Sequence, residues 1–489
     1  MLLPHLPILL LALGSVSALD PQLAEFFKNK AVRPLSLAER AAAGIKPRHL
    51  RPFTEPADVR LNKRDSITSP DVGQPATWET NTQPQPQRGA TGSTFGSSDT
   101  NIELDRQNPD NVAPPTTDSG IVPNLKWSFS LSHTRLLKGG WVREQVIQDL
   151  PPSVDVAAAE LRLEPNAYRE LHWHRVAEWG YILNGTGRVS AIDEDGKSYI
   201  SDIQGPTNGE DPDIYYFPPG VPHSIQALGT GLEILIIFTD GNFDRTGTTF
   251  MLSDWLARTP LSIISQNLGI NISELANIPQ KDPYIIQATE PPLPLGHAEE
   301  SAPKSPDGEV PNPYVFRLKD QEKQIAKGGG GWVKIQDSVT NFKAFILIFR
   351  MIFLGTNRTH QVSKEIASAL VFVEPNGLRE LHWHTVDEWL YILHGKARAT
   401  AFAGSSTSRT FDFQVGDTGV FPVSYGHYIK NLSPTEPLIY LEIFKAERFV
   451  DFSATQWLAL TPPQVVADLL NISVATVQGL KREKQLIIK

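Results

Sequence analysis

Cysteine is absent from this 489-residue chain, which excludes disulfides and any thiolate metal site and leaves packing to supply stability. Long apolar runs are missing as well. The stretch Leu6–Leu13 is too short to span a bilayer, and the run Ala344–Gly355 (AFILIFRMIFLG) is both too short and interrupted by Arg350. A membrane-spanning role is therefore not expected. Positive charge is in deficit, with 45 Lys and Arg against 54 Asp and Glu and a formal net charge of −9, which argues against nucleic-acid binding. The hydrophobic content of 40% is ordinary for a globular protein, and the length suffices for two or three domains.

Against these absences stands a duplication. The six residues Arg-Glu-Leu-His-Trp-His occur at Arg169–His174 and again at Arg379–His384. Each copy is followed by a glutamate at the same offset, Glu178 and Glu388, and by a later histidine, His223 and His427. Six of the twelve histidines fall in these positions. In a strand, alternate side chains share a face, so His172 and His174 project together, as do His382 and His384. Glu178 reaches the same interior after a short bend, and His223 must arrive from a distant strand, which suits a closed or sandwiched sheet. Three imidazoles and one carboxylate leave open positions on an octahedral metal for water or substrate. Such a donor set suits Mn, Fe, Zn, Ni or Cu and does not choose among them.

The segments Arg169–Gly185 and Arg379–Gly395 resemble the first cupin motif, and Tyr216–His223 (YFPPGVPH) and Val420–Asn431 (VFPVSYGHYIKN) resemble the second. With RELHWH in both halves, and with the phrases HSIQAL, LSDWLARTP and LEIFK, the chain from about Ile121 onward resembles the bicupin oxalate decarboxylases. That resemblance implies an all-β chain of two tandem double-stranded β-helix (jelly-roll) barrels with short helical appendages. It further implies one Mn(II) per barrel, hence two per chain, with O2 as redox co-catalyst, oxalate as substrate and a homo-oligomer. The family's usual glycine six residues before the first ligand is Asn166 or Asn376 here, and asparagine is the residue that best tolerates positive φ after glycine. Ser424 replaces the glycine that the first repeat keeps as Gly220, and Ala227 stands where the second has Asn431.

The expected organisation begins with a secretory signal peptide at 1–18, ending in the small residues Val16-Ser17-Ala18. A pro-segment and extended arm follow over 19–120, containing the dibasic pair Lys63-Arg64 and a stretch rich in Pro, Gln, Thr, Ser and Gly. The first barrel domain spans 121–286, a proline-rich linker 287–313, and the second barrel domain 314–489. Runs such as Ala157–Leu163, Trp179–Leu183 and Leu232–Phe238 predict strands. Ser253–Leu268 and Ile272–Ala276 predict helices with Ser253 and Ser273 as N-caps, and Thr455–Leu458, Pro462–Leu470 and Ser473–Leu480 predict their equivalents. Five N-x-S/T sequons begin at Asn184, Asn271, Asn357, Asn431 and Asn471, compatible with a secreted, extracellular glycoprotein. The repeats differ in length: Trp141 precedes His172 by 31 residues, whereas Trp332 precedes His382 by 50. The excess falls near 342–361 and predicts either a gene-model error, such as a translated intron, or a hairpin insertion.

Arg169 and Arg379 occupy the position that the resemblance gives to a substrate arginine, and a guanidinium clamps a carboxylate in bidentate fashion. Their alternative role is an ion pair with Glu170 or Glu380. Cleaving the C–C bond of oxalate leaves a carbon that must be protonated to give formate, which requires a poised acid. Without one the intermediate passes to O2, giving a second CO2 and hydrogen peroxide. Glu442, in Leu441-Glu442-Ile443-Phe444, matches a family glutamate near the second metal and is the expected catalytic acid; Ile236 is its counterpart in the first repeat. The segment after Gly241, where the family has a mobile lid, reads Asn242-Phe243-Asp244-Arg245 with no glutamate. The expectation is thus a secreted Mn-dependent oxalate decarboxylase. An oxalate oxidase of the same fold is the alternative, and a non-catalytic storage-type bicupin a lesser one.

Overall fold

The structure is a computed structural model that describes residues 114–348, 351–358 and 360–489. The expected signal peptide and nearly all of the pro-segment and arm lie outside the described residues.

Two jelly-roll barrels follow one another, and their strands repeat in order. Gly140–Gln145, Ala157–Leu163, Ala167–His174, Glu178–Ile192, Ser198–Gln204, Asp213–Phe217 and His223–Phe238 build the first. Gly331–Gln336, Ala367–Val373, Leu378–Trp383, Glu388–His394, Lys396–Phe402, Ser408–Gln414, Asp417–Phe421, His427–Asn431 and Leu438–Phe444 build the second. All the pairings among these strands are antiparallel. The turns before the ligand strands work as the sequence suggests: Asn166 has φ 68° and Asn376 φ 59°, while Ser424 at φ 67° holds the left-handed conformation that Gly220 holds at φ 84°.

Strand alternation sorts the side chains into distinct cores. Along one strand Ile234, Ile236 and Phe238 face the interior of the first barrel, whereas Leu235 and Ile237 point outward. Those outward residues meet Trp179, Trp389, Leu441 and Ile443 in a third apolar cluster that joins the barrels. Two hydrogen bonds cross this cluster: Trp389 Nε1 donates to Gln145 Oε1 at 2.9 Å, and the Tyr391 hydroxyl to Glu160 Oε1 at 2.7 Å. Burying side chains of this size is worth roughly 1.5–3 kcal/mol each, so the interface is a structural core.

The barrels also exchange edge strands. Lys126–Ser128, inside the span assigned to the first domain, pairs with Asp417–Phe421 of the second barrel. Val315–Arg317, inside the span assigned to the second, pairs with Asp213–Phe217 of the first. The last described part of the arm docks on the second barrel, where Ser119 bridges Ser408 and Asp118 accepts from the Thr410 hydroxyl at 2.8 Å. The proline-rich linker carries one short helix, Leu295–Ser301. The extra residues of the second repeat form a hairpin, Asn341–Ile348 with Met351–Arg358, whose strands pair with each other and with no other described strand.

Both barrels end in helices, Leu252–Ala257 and Leu261–Leu268 in the first and Ala454–Leu460, Pro463–Leu470 and Val474–Gln478 in the second. Two expected N-caps are corrected. Ser253 lies within its helix, whose N-cap position is Met251, and its hydroxyl donates to Glu170 at 2.7 Å. Asn271, not Ser273, caps the short turn Ile272–Leu275, accepting from the Ser273 amide. In the second repeat Ser453 and Ser473 do cap, accepting from the Gln456 and Thr476 amides.

Candidate metal centres

In each barrel the first two histidines and the third come from paired strands, with His172 opposite His223 and His382 opposite His427. The glutamates open the neighbouring strands Glu178–Ile192 and Glu388–His394. Ligand atoms of His172, His174, Glu178 and His223 lie within 4.8 Å of one another, and so do those of His382, His384, Glu388 and His427. All eight residues are buried.

The Nδ1 atoms are fully engaged. His172 and His382 stand 2.6 Å from the carbonyls of Glu170 and Glu380, and His223 and His427 2.9 Å from those of Val221 and Tyr425. His384 Nδ1 meets the Val450 carbonyl at 2.8 Å, and His174 Nδ1 the Thr249 hydroxyl at 2.9 Å. A carbonyl can only accept, so the five rings that face carbonyls carry a proton on Nδ1 and present Nε2 to the interior, while the Thr249 hydroxyl can serve His174 in either tautomer. Burial lowers the His172 and His382 pKa well below the ordinary value and brings that of His174 to about 4, keeping the rings neutral. His382 Nε2 and Glu388 Oε1 are buried without a hydrogen-bond partner, and the Nε2 atoms of His174 and His384 converge on the Glu178 and Glu388 carboxylates at 2.8 and 2.9 Å. Lone pairs and a carboxylate converging in this way fit a divalent cation, so the donor set matches the group implied by the sequence.

The surroundings of the two centres differ. Arg379 is fully buried and enclosed by carboxylates: Nη2 donates to Asp451 at 2.8 Å and Nε to Glu442 at 3.2 Å. Asp451 carries the negative charge, since Arg379 and Lys484 hold its carboxyl well below the usual range despite its burial. Burial raises the pKa of Glu442 against the pull of Arg379, and the Tyr440 hydroxyl donates to it at 2.9 Å. Arg169 has no such cage. Its Nη1 donates to the Tyr284 carbonyl at 3.0 Å, its guanidinium lies 3.6 Å over the Tyr284 ring, and no carboxylate among the described residues forms an ion pair with it. The residue in Asp451's place in the first repeat is Thr249, which serves His174 instead. The alternative ion pairs with Glu170 and Glu380 are not formed. Those glutamates tie down the returning chain through the amides of Tyr284 at 3.0 Å and Leu486 at 2.8 Å. Both of these residues have positive φ, 58° and 65°.

Three features escaped the sequence reading. Tyr215 donates to Glu178 Oε1 at 2.8 Å, and its ring fills the space that a Cβ on its cross-strand neighbour Gly180 would occupy. In the second barrel the pair is reversed to Leu390 opposite Gly419, and Glu388 Oε1 is left without a partner. Phe243 seals the first site, stacking on Phe238 at 3.4 Å between centroids and lying 5.3 Å from His174, while Asp244 beside it is exposed. Glu144 lines the cavity over the first centre together with Arg169, His172, His174 and Glu178. Its signal was present in the repeat itself, since WVREQ at Trp141–Gln145 parallels WVKIQ at Trp332–Gln336 with glutamate in place of Ile335.

The sequence matches the Cupin domain family twice, over residues 130–275 and 354–478. It is 45% identical to oxalate decarboxylase OxdC of Bacillus subtilis (strain 168), covering 83% of this chain and 97% of that protein. It is 44% identical to a probable oxalate decarboxylase of Arthroderma benhamiae, covering 82% and 92% respectively. The solved structure of the Bacillus subtilis oxalate decarboxylase at pH 4.6 matches with a TM-score of 0.73 at 44% identity, over 84% of this chain and 98% of that one. A further structure of that enzyme, matched at a TM-score of 0.72, comes from work on its Mn(II) centres.

Proposed function

The chain belongs to the bicupin oxalate decarboxylase family, and from that premise we propose that it converts oxalate to formate and CO2 with Mn(II) in both barrels and O2 as redox co-catalyst. The reading rests above all on Arg169, buried beside the first His3Glu set and not ion-paired to any described carboxylate. His172, His174, Glu178 and His223 would hold the ion, and the Arg169 guanidinium would meet an oxalate carboxylate in a charge-assisted, planar contact. Bound Mn(II) supplies an electrophilic, redox-active centre for the dianion. Phe243 excludes water above it, and Tyr215 steadies the Glu178 carboxylate. Arg379, already neutralised by Asp451, cannot offer the same clamp, so we assign turnover to the first barrel and a structural role to Arg379. Glu442, the expected acid, then sits beside a centre whose arginine is taken.

Hydrogen peroxide production remains the second reading, since the segment after Gly241 lacks a glutamate and its Asp244 is exposed. We further propose a secreted homo-oligomer. The apolar stretch Leu6–Leu13 before Val16-Ser17-Ala18 supports secretion, and exposed apolar side chains on the terminal helices support assembly, Trp255 being 60% and Trp457 62% accessible. Purified Mn-loaded protein given oxalate in air tests the activity. Formate and CO2 in equal amounts support it; peroxide with little formate establishes the oxidase instead.

A further inference from the structure

Each barrel carries an extra glutamate on its interior wall, and the two sit two strands apart in the same cross-strand row. In the first barrel Glu144 pairs with Ala159, which pairs with Ile236. In the second, Ile335 pairs with Ala369, which pairs with Glu442. The acid stands two strands further along the row in the second barrel, and an isoleucine fills the corresponding place in each case. Their bonding differs accordingly. Glu442 is held by Arg379 and Tyr440, whereas the Glu144 carboxylate makes no hydrogen bond among the described residues. It lines the cavity shared by Arg169 and three ligands of the first centre.

We propose that Glu144 is the proton donor of the first barrel. The inference rests on the decarboxylase reading above. Oxalate loses one carboxylate as CO2, and the electron pair of the broken C–C bond becomes the C–H bond of formate, using the proton of the Glu144 carboxyl. One carbon is oxidised and the other reduced, so no external oxidant is consumed, and water returns the proton to Glu144. Burial and the nearby Asp244 charge raise the Glu144 pKa, which favours the protonated form that the step requires. Asp244 itself is exposed and lies outside the sealed site.

The test compares full-length Mn-loaded wild type with Glu144→Gln, Glu144→Asp and Asp244→Asn. Manganese content, the change in the Mn(II) EPR spectrum on adding oxalate, formate and peroxide are measured together. We expect Glu144→Gln to keep its manganese and its oxalate-induced spectral change, and to lose formate by about 100-fold or more. Its residual turnover should shift to peroxide. Glu144→Asp should restore part of the formate, which keeps the test informative if the glutamine variant misfolds, and Asp244→Asn, which removes a charge acting on Glu144 but no group lining the cavity, should still release formate as its main product. Formate at the wild-type rate from Glu144→Gln, or its loss from Asp244→Asn alone, overturns the proposal. Loss of manganese or of the spectral response in Glu144→Gln also overturns it, because the residue would then be building the site. A wild type that makes no formate sinks the decarboxylase reading itself, which separates that failure from this one.

Discussion

Arg379 is tied to Asp451 by a 2.8 Å hydrogen bond between two side chains that are each almost wholly buried, a contact that the first centre does not have. Where the second repeat has Asp451 the first has Thr249, and Arg169 forms no ion pair with a carboxylate among the described residues. On the proposed function, this one residue outside the RELHWH motif leaves Arg169 able to clamp a dianion and makes Arg379 structural.

Substitution of the arginines should therefore act differently. Arg169→Lys is expected to lower kcat/KM for oxalate at least tenfold with an unchanged melting temperature, because a lysine cannot reproduce the planar fork. Arg379→Ala should instead destabilise the fold by about 3 kcal/mol, since it takes the buried cation from between Asp451 and Glu442 and leaves Asp451 with Lys484 alone. Denaturant unfolding and steady-state kinetics on the two variants distinguish these outcomes; equal kinetic losses without unfolding would contradict the assignment.

Metal content follows the ligand sets. His172→Ala and His382→Ala should each remove about half of the bound manganese, one ion per barrel. Elemental analysis reads this directly, and an unchanged content in either variant rejects that centre.

The two centres should also respond differently to acid. A proton competes with the metal for Nε2, so affinity falls as pH drops through the histidine pKa of the metal-free site. Burial has lowered the His174 value to about 4, so that ring leaves the first centre's affinity flat between pH 7 and 5. His384, although buried, is raised above 6.5 by the Glu388 carboxylate, so the second centre should begin to lose affinity at higher pH. Manganese retention after dialysis at stepped pH, in His172→Ala and His382→Ala, checks the order. Earlier loss from the first barrel would refute it.

Tyr215→Phe removes the donor to Glu178 Oε1 and is expected to cost about 1–3 kcal/mol of stability. Gly180→Ala should be worse, because its Cβ would overlap the Tyr215 ring. Thermal melts of both measure the ordering, and a Gly180→Ala protein as stable as wild type would contradict the packing described.

Much of this was legible in the sequence. The duplicated motif located all eight ligand residues, and period-two alternation located strands such as Ala157–Leu163 to the residue. Asn166 and Asn376 were rightly placed in left-handed turns. What was not legible depends on contacts distant in sequence. The cage around Arg379 draws on residues 63 and 72 positions away, so the motif alone made Arg169 and Arg379 look equivalent. Ser253 has the composition of a cap but serves Glu170, 83 residues earlier. The exchange of Lys126–Ser128 and Val315–Arg317 between barrels left no local mark, since any short apolar strand suits either edge. Asn431 has a sequon's pattern but is fully buried, its amide donating to the carbonyls of Val373, Glu374 and Glu436.

The central claim, that oxalate is decarboxylated in the first barrel, is tested most directly by measuring formate and CO2 from the two half-loaded proteins. His382→Ala, holding manganese in the first barrel alone, should still release formate and CO2 in equal amounts, and His172→Ala should release neither. Formate from His172→Ala with none from His382→Ala would contradict the account and move the chemistry to the centre beside Glu442.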